Sequence, residues 1–147
     1  MALKEKLQDD VEQAMRSGDR ERRDVLRLML AAIKQEEVDE GHGLSEDEVR
    51  AVLAKQAKQR RETIADAQRA GRREMAASEQ AELAIIEDYL PEQMERDEIR
   101  ALAKEEIEAV GATGMKDMGQ VMGRLMPRVK GRADGSVVSD VVRELLA

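Results

Sequence analysis

The residues with the most distinctive chemistry lie near the C-terminal end, in the run Asp117-Met118-Gly119-Gln120-Val121-Met122-Gly123-Arg124-Leu125-Met126-Pro127-Arg128-Val129-Lys130-Gly131-Arg132-Ala133-Asp134-Gly135. From residue 123 to 132 there are four cations, Arg124, Arg128, Lys130 and Arg132, and no acid. Lys116 precedes them. Sets of Lys and Arg of this kind contact phosphate oxygens. Gly119 and Gly123 are four apart in an apolar helical pattern, so they share one side of a helix. Each glycine costs about 1 kcal/mol in a helix interior relative to alanine. Their presence implies close approach of something to the backbone. The plainer reading is a neighbouring helix. The sharper one is a sugar-phosphate backbone, with Lys116, Arg124, Arg128, Lys130 and Arg132 around it. Gly131, Gly135 and a helix cap at Asp134 would form a turn that offers N–H groups to an anion.

Other chemistry is largely excluded. There is no cysteine, so there are no disulfides, thiolate nucleophiles or Cys-type zinc sites. The single histidine, His42, sits between Gly41 and Gly43 with no ligand or triad partner nearby in sequence. No nucleophile elbow, phosphate-binding loop or zinc-protease motif is present. Carboxylate pairs such as Glu36/Glu37 and Glu105/Glu106 arise by chance among 32 acids and are expected to solvate helix faces. No catalytic residue, metal site or cofactor is assigned. There is one tyrosine and no Phe or Trp, so bases have no rings to stack on. That leaves recognition of a folded RNA by shape and backbone. The net charge of −7 argues against a general polyanion binder. It permits a local basic patch, because charges are screened beyond about 8 Å at cellular salt.

These residues must be positioned by helices. Apolar content is 41 % and charged content 39 %, and strong helix formers dominate. The expected fold is all-α, with a four-helix bundle over residues 1–90 and a three-helix bundle over 91–147. The first four helices are placed at about 2–16, 20–39, 45–70 and 72–89. Asp19 and Ser45 are N-cap candidates, the latter with Glu48 at capping-box spacing. The second helix reads as apolar on nearly every side, hence central. The third has an inward stripe of Val49, Leu53, Ala57, Ile64 and Ala67. Arg60 falls within that stripe, so a partly buried arginine paired with a carboxylate is expected. In the fourth, Met75, Leu83, Ile86 and Leu90 are placed inward. Pro91 marks the boundary, with Tyr89 read as a cap on packing between the halves. Three further helices are placed at about 97–110, 116–126 and 135–146, the sixth continuing a little past Pro127 with a kink. On the sixth, Met118, Val121, Met122 and Leu125 form the core stripe, the methionines being adaptable filler. The N-terminal segment has no signal-like apolar core and no run is long enough for a membrane span, so a cytoplasmic location is expected.

The 117–135 run resembles the signature of the GatB/YqeY family. Three other segments match in the same order: Arg27-Leu28-Met29-Leu30-Ala31-Ala32-Ile33-Lys34; Lys58-Gln59-Arg60-Arg61-Glu62-Thr63-Ile64 with Ala70-Gly71-Arg72; and Tyr89-Leu90-Pro91-Glu92-Gln93. Together they cover essentially the whole chain. The resemblance implies two helical bundles, four helices then three. It also implies kinship with the tail domain of the B subunit of the glutamine-dependent tRNA amidotransferase, which helps select tRNA by shape. Similar modules are appended to some glutaminyl-tRNA synthetases. The family label of carbon–nitrogen ligase with glutamine as amido donor belongs, on this reading, to the complete enzyme, whose amidase Ser-Ser-Lys machinery is absent here. Three positions depart from the family pattern. Gln120 replaces a frequent Lys and removes one candidate phosphate contact. Glu95 replaces a capping Ser, and Ala67 replaces a frequent aromatic. The expected function is a non-catalytic tRNA-binding accessory module. The alternatives are a module that docks on an aminoacyl-tRNA synthetase, an amidotransferase or a ribosomal partner, and an amidotransferase component acting alone.

Overall fold

The computed structural model describes residues 1–147. It contains seven α-helices and no strand: α1 Leu3–Ser17, α2 Arg20–Glu40, α3 Glu46–Arg69, α4 Arg73–Glu87, α5 Arg96–Val110, α6 Met118–Val129 and α7 Gly135–Leu146. A 3-10 turn, Met115–Asp117, leads into α6. No helix is long and apolar enough to cross a membrane. The helix ends follow local chemistry. Asp19, Ser45 and Asp134 accept hydrogen bonds from the backbone N–H groups of Arg22, Glu48 and Ser136, and so cap α2, α3 and α7. Glu95, where a capping serine would stand, gives α5 no side-chain cap. α6 runs through Pro127 to Val129, further than the apolar pattern alone required.

The chain divides into two compact units, Met1–Pro91 and Glu92–Ala147. The first holds α1 to α4. Here α1 packs on α2, α3 packs on α4, and α2 touches both α3 and α4. Leu7, Leu26, Met29, Ile33, Leu53 and Ile86 are fully buried at its centre. The α3 stripe is buried at every expected position. Arg60 lies within it as expected, with Nε 3.5 Å from Glu82 Oε2 and Nη1 donating to the Gln56 backbone and side-chain oxygens.

Two expectations in this unit are corrected. α2 is not enclosed all round. Val25, Leu26, Met29 and Ile33 point inward, whereas Leu28 is 51 % exposed and Ala31 is also exposed. The packed helices cover only one of its faces. Met75 is exposed, and Ala76 takes the buried place in the first turn of α4. Tyr89 closes the first unit itself. Its hydroxyl donates to Asp10 Oδ2 at 2.5 Å and accepts from Arg22 Nη2 at 3.1 Å. The Lys6 ammonium and Arg22 guanidinium lie 5.5 and 5.8 Å from its ring centroid. Such cation–ring contacts favour the charged groups where they are.

In the second unit each of α5, α6 and α7 packs on the other two. Its core is Ile99 and Ala103 from α5, Val121, Leu125 and Val129 from α6, and Val138, Val141, Val142 and Leu146 from α7. Met118, Met122 and Met126 fill in around it, half-buried. The turn between α6 and α7 is tied to the segment before α5. The Met94 N–H donates to the Arg132 carbonyl at 2.8 Å, and Arg132 Nε donates to the Glu92 carbonyl at 3.1 Å.

Candidate functional site

Core packing fixes which side of α6 faces out. Val121, Leu125 and Val129 recur at intervals of four and are fully buried, so the opposite face carries Gly119, Gln120, Gly123 and Pro127, all exposed. A Cβ placed on Gly119 or Gly123 would meet nothing within 4 Å. Neither glycine has a positive φ. The neighbouring-helix reading of these glycines is therefore corrected: α5 and α7 pack elsewhere on α6, and the glycine strip is bare. Pro127 adds a second feature. It has no N–H, so the Gly123 carbonyl lacks its ordinary helical donor.

The basic residues around this strip differ in their freedom. Lys116 and Lys130 are exposed and form no ion pair. Arg124 Nε donates to Glu106 Oε2 at 2.6 Å. Arg128 Nη1 donates to Glu106 Oε1 at 3.0 Å and lies 2.8 Å from Glu105 Oε2. Arg132 is held by the Glu92 carbonyl, with Nη2 3.9 Å from Glu98 Oε2. The cluster is thus not five free cations. The acids that face the arginines come from α5, brought close only by folding.

Glu106 is the one charged residue buried in the chain, at 7 % exposure. Ile99, Ala103, Glu106 and Val110 follow the inward spacing of α5, so the acid occupies a core-facing position. The expectation that Glu105/Glu106 is a solvated surface pair is corrected for Glu106. The inward spacing was the sequence signal for it. The hydrogen bond from Arg124 chiefly holds its carboxyl below the usual range, helped by Arg128 and opposed by burial. Hydrogen bonds to Glu105 and then Glu106 push the Arg128 guanidinium up.

Each guanidinium carries five N–H donors in a planar fork. Arg124 spends its Nε–H on protein and Arg128 donates through Nη1, while their side chains stay 54 % and 38 % exposed. The remaining donors make no hydrogen bond within the protein. The turn after α6 contributes less than its glycines promised. The N–H groups of Arg132 and Ala133 both go to the Val129 carbonyl, and that of Ser136 goes to Asp134. The surface sets exposed ammonium and guanidinium groups around a bare helix face. It brings together no nucleophile with a base, and no three His, Cys, Asp or Glu side chains stand close enough to hold a metal ion. His42 is exposed, its Nδ1 2.8 Å from the Gly43 carbonyl.

A fungal protein from Pyrenophora tritici-repentis, altered inheritance of mitochondria protein 41, mitochondrial, is 29 % identical over 144 residues, covering 96 % of this chain and 79 % of its own. The E subunit of the glutamyl-tRNA(Gln) amidotransferase of Thermococcus gammatolerans is 40 % identical over 70 residues, or 48 % of this chain and 11 % of that protein. The corresponding protein of Thermococcus sibiricus is 41 % identical over 46 residues, or 31 % of this chain and 7 % of its own length. The family model described as Yqey-like protein matches residues 4–146, and the chain belongs to that family.

Proposed function

We propose that this chain is a non-catalytic accessory module that binds tRNA through the outer face of α6. The two units act as a four-helix bundle and a three-helix bundle, the second presenting the contact surface. One observation carries the reading: Gly119 and Gly123 leave a helix face bare, with no neighbouring helix against it, between exposed cations. Two glycines that weaken a helix without serving its packing are explained by a partner that comes close. A phosphodiester backbone fits because the groups around the strip are ammonium and guanidinium donors and no ring is present for base stacking. Similarity to part of an amidotransferase protein named for Glu-tRNA(Gln) supports tRNA as the RNA. The module works in the cytoplasm on this reading. The fungal relative's name places that protein in mitochondria.

A mobility-shift titration with purified tRNA against salt tests the proposal. The logarithm of affinity falls with the logarithm of salt, by about 0.7–0.9 per neutralised phosphate. Lys116→Glu with Lys130→Glu removes the two unpaired cations without disturbing Glu106, and the slope is expected to drop by up to two such steps. Absence of binding at about 50 mM salt, or an unchanged slope in the double variant, would sink the reading. Glutamine-dependent amidation of Glu-tRNA by this chain alone is expected to show no turnover. Retention of a translation enzyme after nuclease treatment, without direct tRNA binding, would instead favour docking on a synthetase or amidotransferase.

A further inference from the structure

We propose that Glu106 is a positioning residue for RNA contact, holding Arg124 and Arg128 in place, and that the adjacent Glu105 competes with phosphate for Arg128. This rests on the reading of the α6 face as a tRNA surface.

The two arginines are one helical turn apart, about 6 Å along the axis. Each takes a different oxygen of the same carboxylate, Arg124 on Oε2 at 2.6 Å and Arg128 on Oε1 at 3.0 Å. One buried negative charge thus bridges two cations that would otherwise repel and move freely. The trio keeps one net positive charge. Arginine side chains lose much rotamer freedom when they bind, and part of that loss is already met here by the carboxylate. The planar fork then points its unused donors away from the anchor.

Glu105 and Glu106 differ in how readily they let go. Glu105 is 62 % exposed on its side chain and pairs with Arg128 at 2.8 Å. Exposed pairs are weak, because water screens them and competes for both partners. A phosphate can replace Glu105 on Arg128 while the displaced carboxylate is solvated. The Glu106 side chain is 9 % exposed. A buried carboxylate stripped of its partners is strongly unfavourable, so Glu106 keeps both arginines when the phosphate arrives. Two neighbouring glutamates therefore act in opposite directions on the same ligand.

The experiment is tRNA binding by the full chain, compared across Glu105→Gln and Glu106→Gln, with circular dichroism melts to confirm that each is folded at the assay temperature. Glu105→Gln is expected to bind roughly two- to fivefold tighter, the worth of an exposed pair. Glu106→Gln is expected to bind roughly five- to hundredfold weaker, from the ordering of two freed arginines, with a shallower salt dependence. Simple charge counting predicts the opposite for Glu106→Gln, since it also removes a negative charge. A merely structural Glu106 would lower the melting temperature and leave the salt slope unchanged. If Glu106→Gln melts too low, Glu106→Asp keeps the charge with a shorter reach and is expected to weaken binding in the same direction. Wild-type protein that binds tRNA, together with folded Glu106 variants that bind as well or better, overturns the positioning role alone. Glu105→Gln binding no tighter than wild type overturns the competitor role. A wild type that does not bind tRNA overturns the proposed function and this inference with it.

Discussion

Replacing Gly123 by alanine is expected to make the protein more stable and a poorer binder. The sign follows from geometry. Gly123 lies in the middle of α6, its φ is not positive, and an added Cβ meets nothing within 4 Å. The substitution then yields the full difference in helix propensity, about 0.8–1.0 kcal/mol. Gly119 lies in the first turn, where fewer helical bonds depend on it, and about half that gain is expected. The double variant should gain about 1.2–1.5 kcal/mol in all. For a small domain each kcal/mol moves the melting temperature by about 4–8 °C, so the rise for the unit holding α6 is roughly 5–12 °C. Helix content followed by circular dichroism on heating measures it. In parallel, the two methyl groups hold a tRNA backbone away from the strip, and binding should weaken. A lower melting temperature for Gly123→Ala would refute the bare-strip geometry. A stabilised double variant with wild-type tRNA affinity would refute close approach.

Gly131→Ala should have the opposite sign. Its φ is +79°, where a Cβ is strained, and a loss of about 1–2 kcal/mol is expected in the same melt. Tyr89 is the only aromatic residue, so ultraviolet absorbance reads its ionisation without interference. Burial, then the bond to Asp10, pushes its phenol from 10.0 up to about 12. The proton is held more tightly in the folded state, so this contribution to stability is complete below pH 10 and disappears as pH rises through about 12. A native midpoint near that of the unfolded chain would contradict the Asp10–Tyr89–Arg22 arrangement. Glu106 works at the other end of the scale. Its pKa is lowered from 4.5, so its contribution is present above pH 4.5 and disappears as acid protonates the folded carboxylate. The melting temperature of Glu106→Gln should therefore fall less between neutral and acid pH than that of wild type. Equal losses would show that the Arg124–Glu106–Arg128 trio adds nothing.

The helices and their ends were legible because their causes are local. The 3.6-residue period set the α3 stripe from Val49 to Ala67. Asp19, Ser45 and Asp134 cap the helices that follow them, through backbone N–H groups two or three residues away. Even the half-buried Arg60 followed from its place on that stripe. Period alone does not say how much of a helix its neighbours will cover. For this reason α2, apolar nearly all round, still exposes Leu28, and α4 buries Ala76 in place of Met75.

The α6 run shows the same division. Its residue types and spacing determined a helix with one apolar face, two glycines on the other, and cations from Arg124 to Arg132. Tertiary structure decided what those features meet. Gly119 and Gly123 face open space, because the buried faces of α5 and α7 are satisfied by Val121, Leu125 and Val129. A stretch of ten residues without an acid becomes an ion-paired surface, because α5 lays Glu105 and Glu106 beside it from about twenty residues away in sequence. Charge along a chain is a one-dimensional quantity. The field that a phosphate would meet depends on distances through space, and only the packed helices set those.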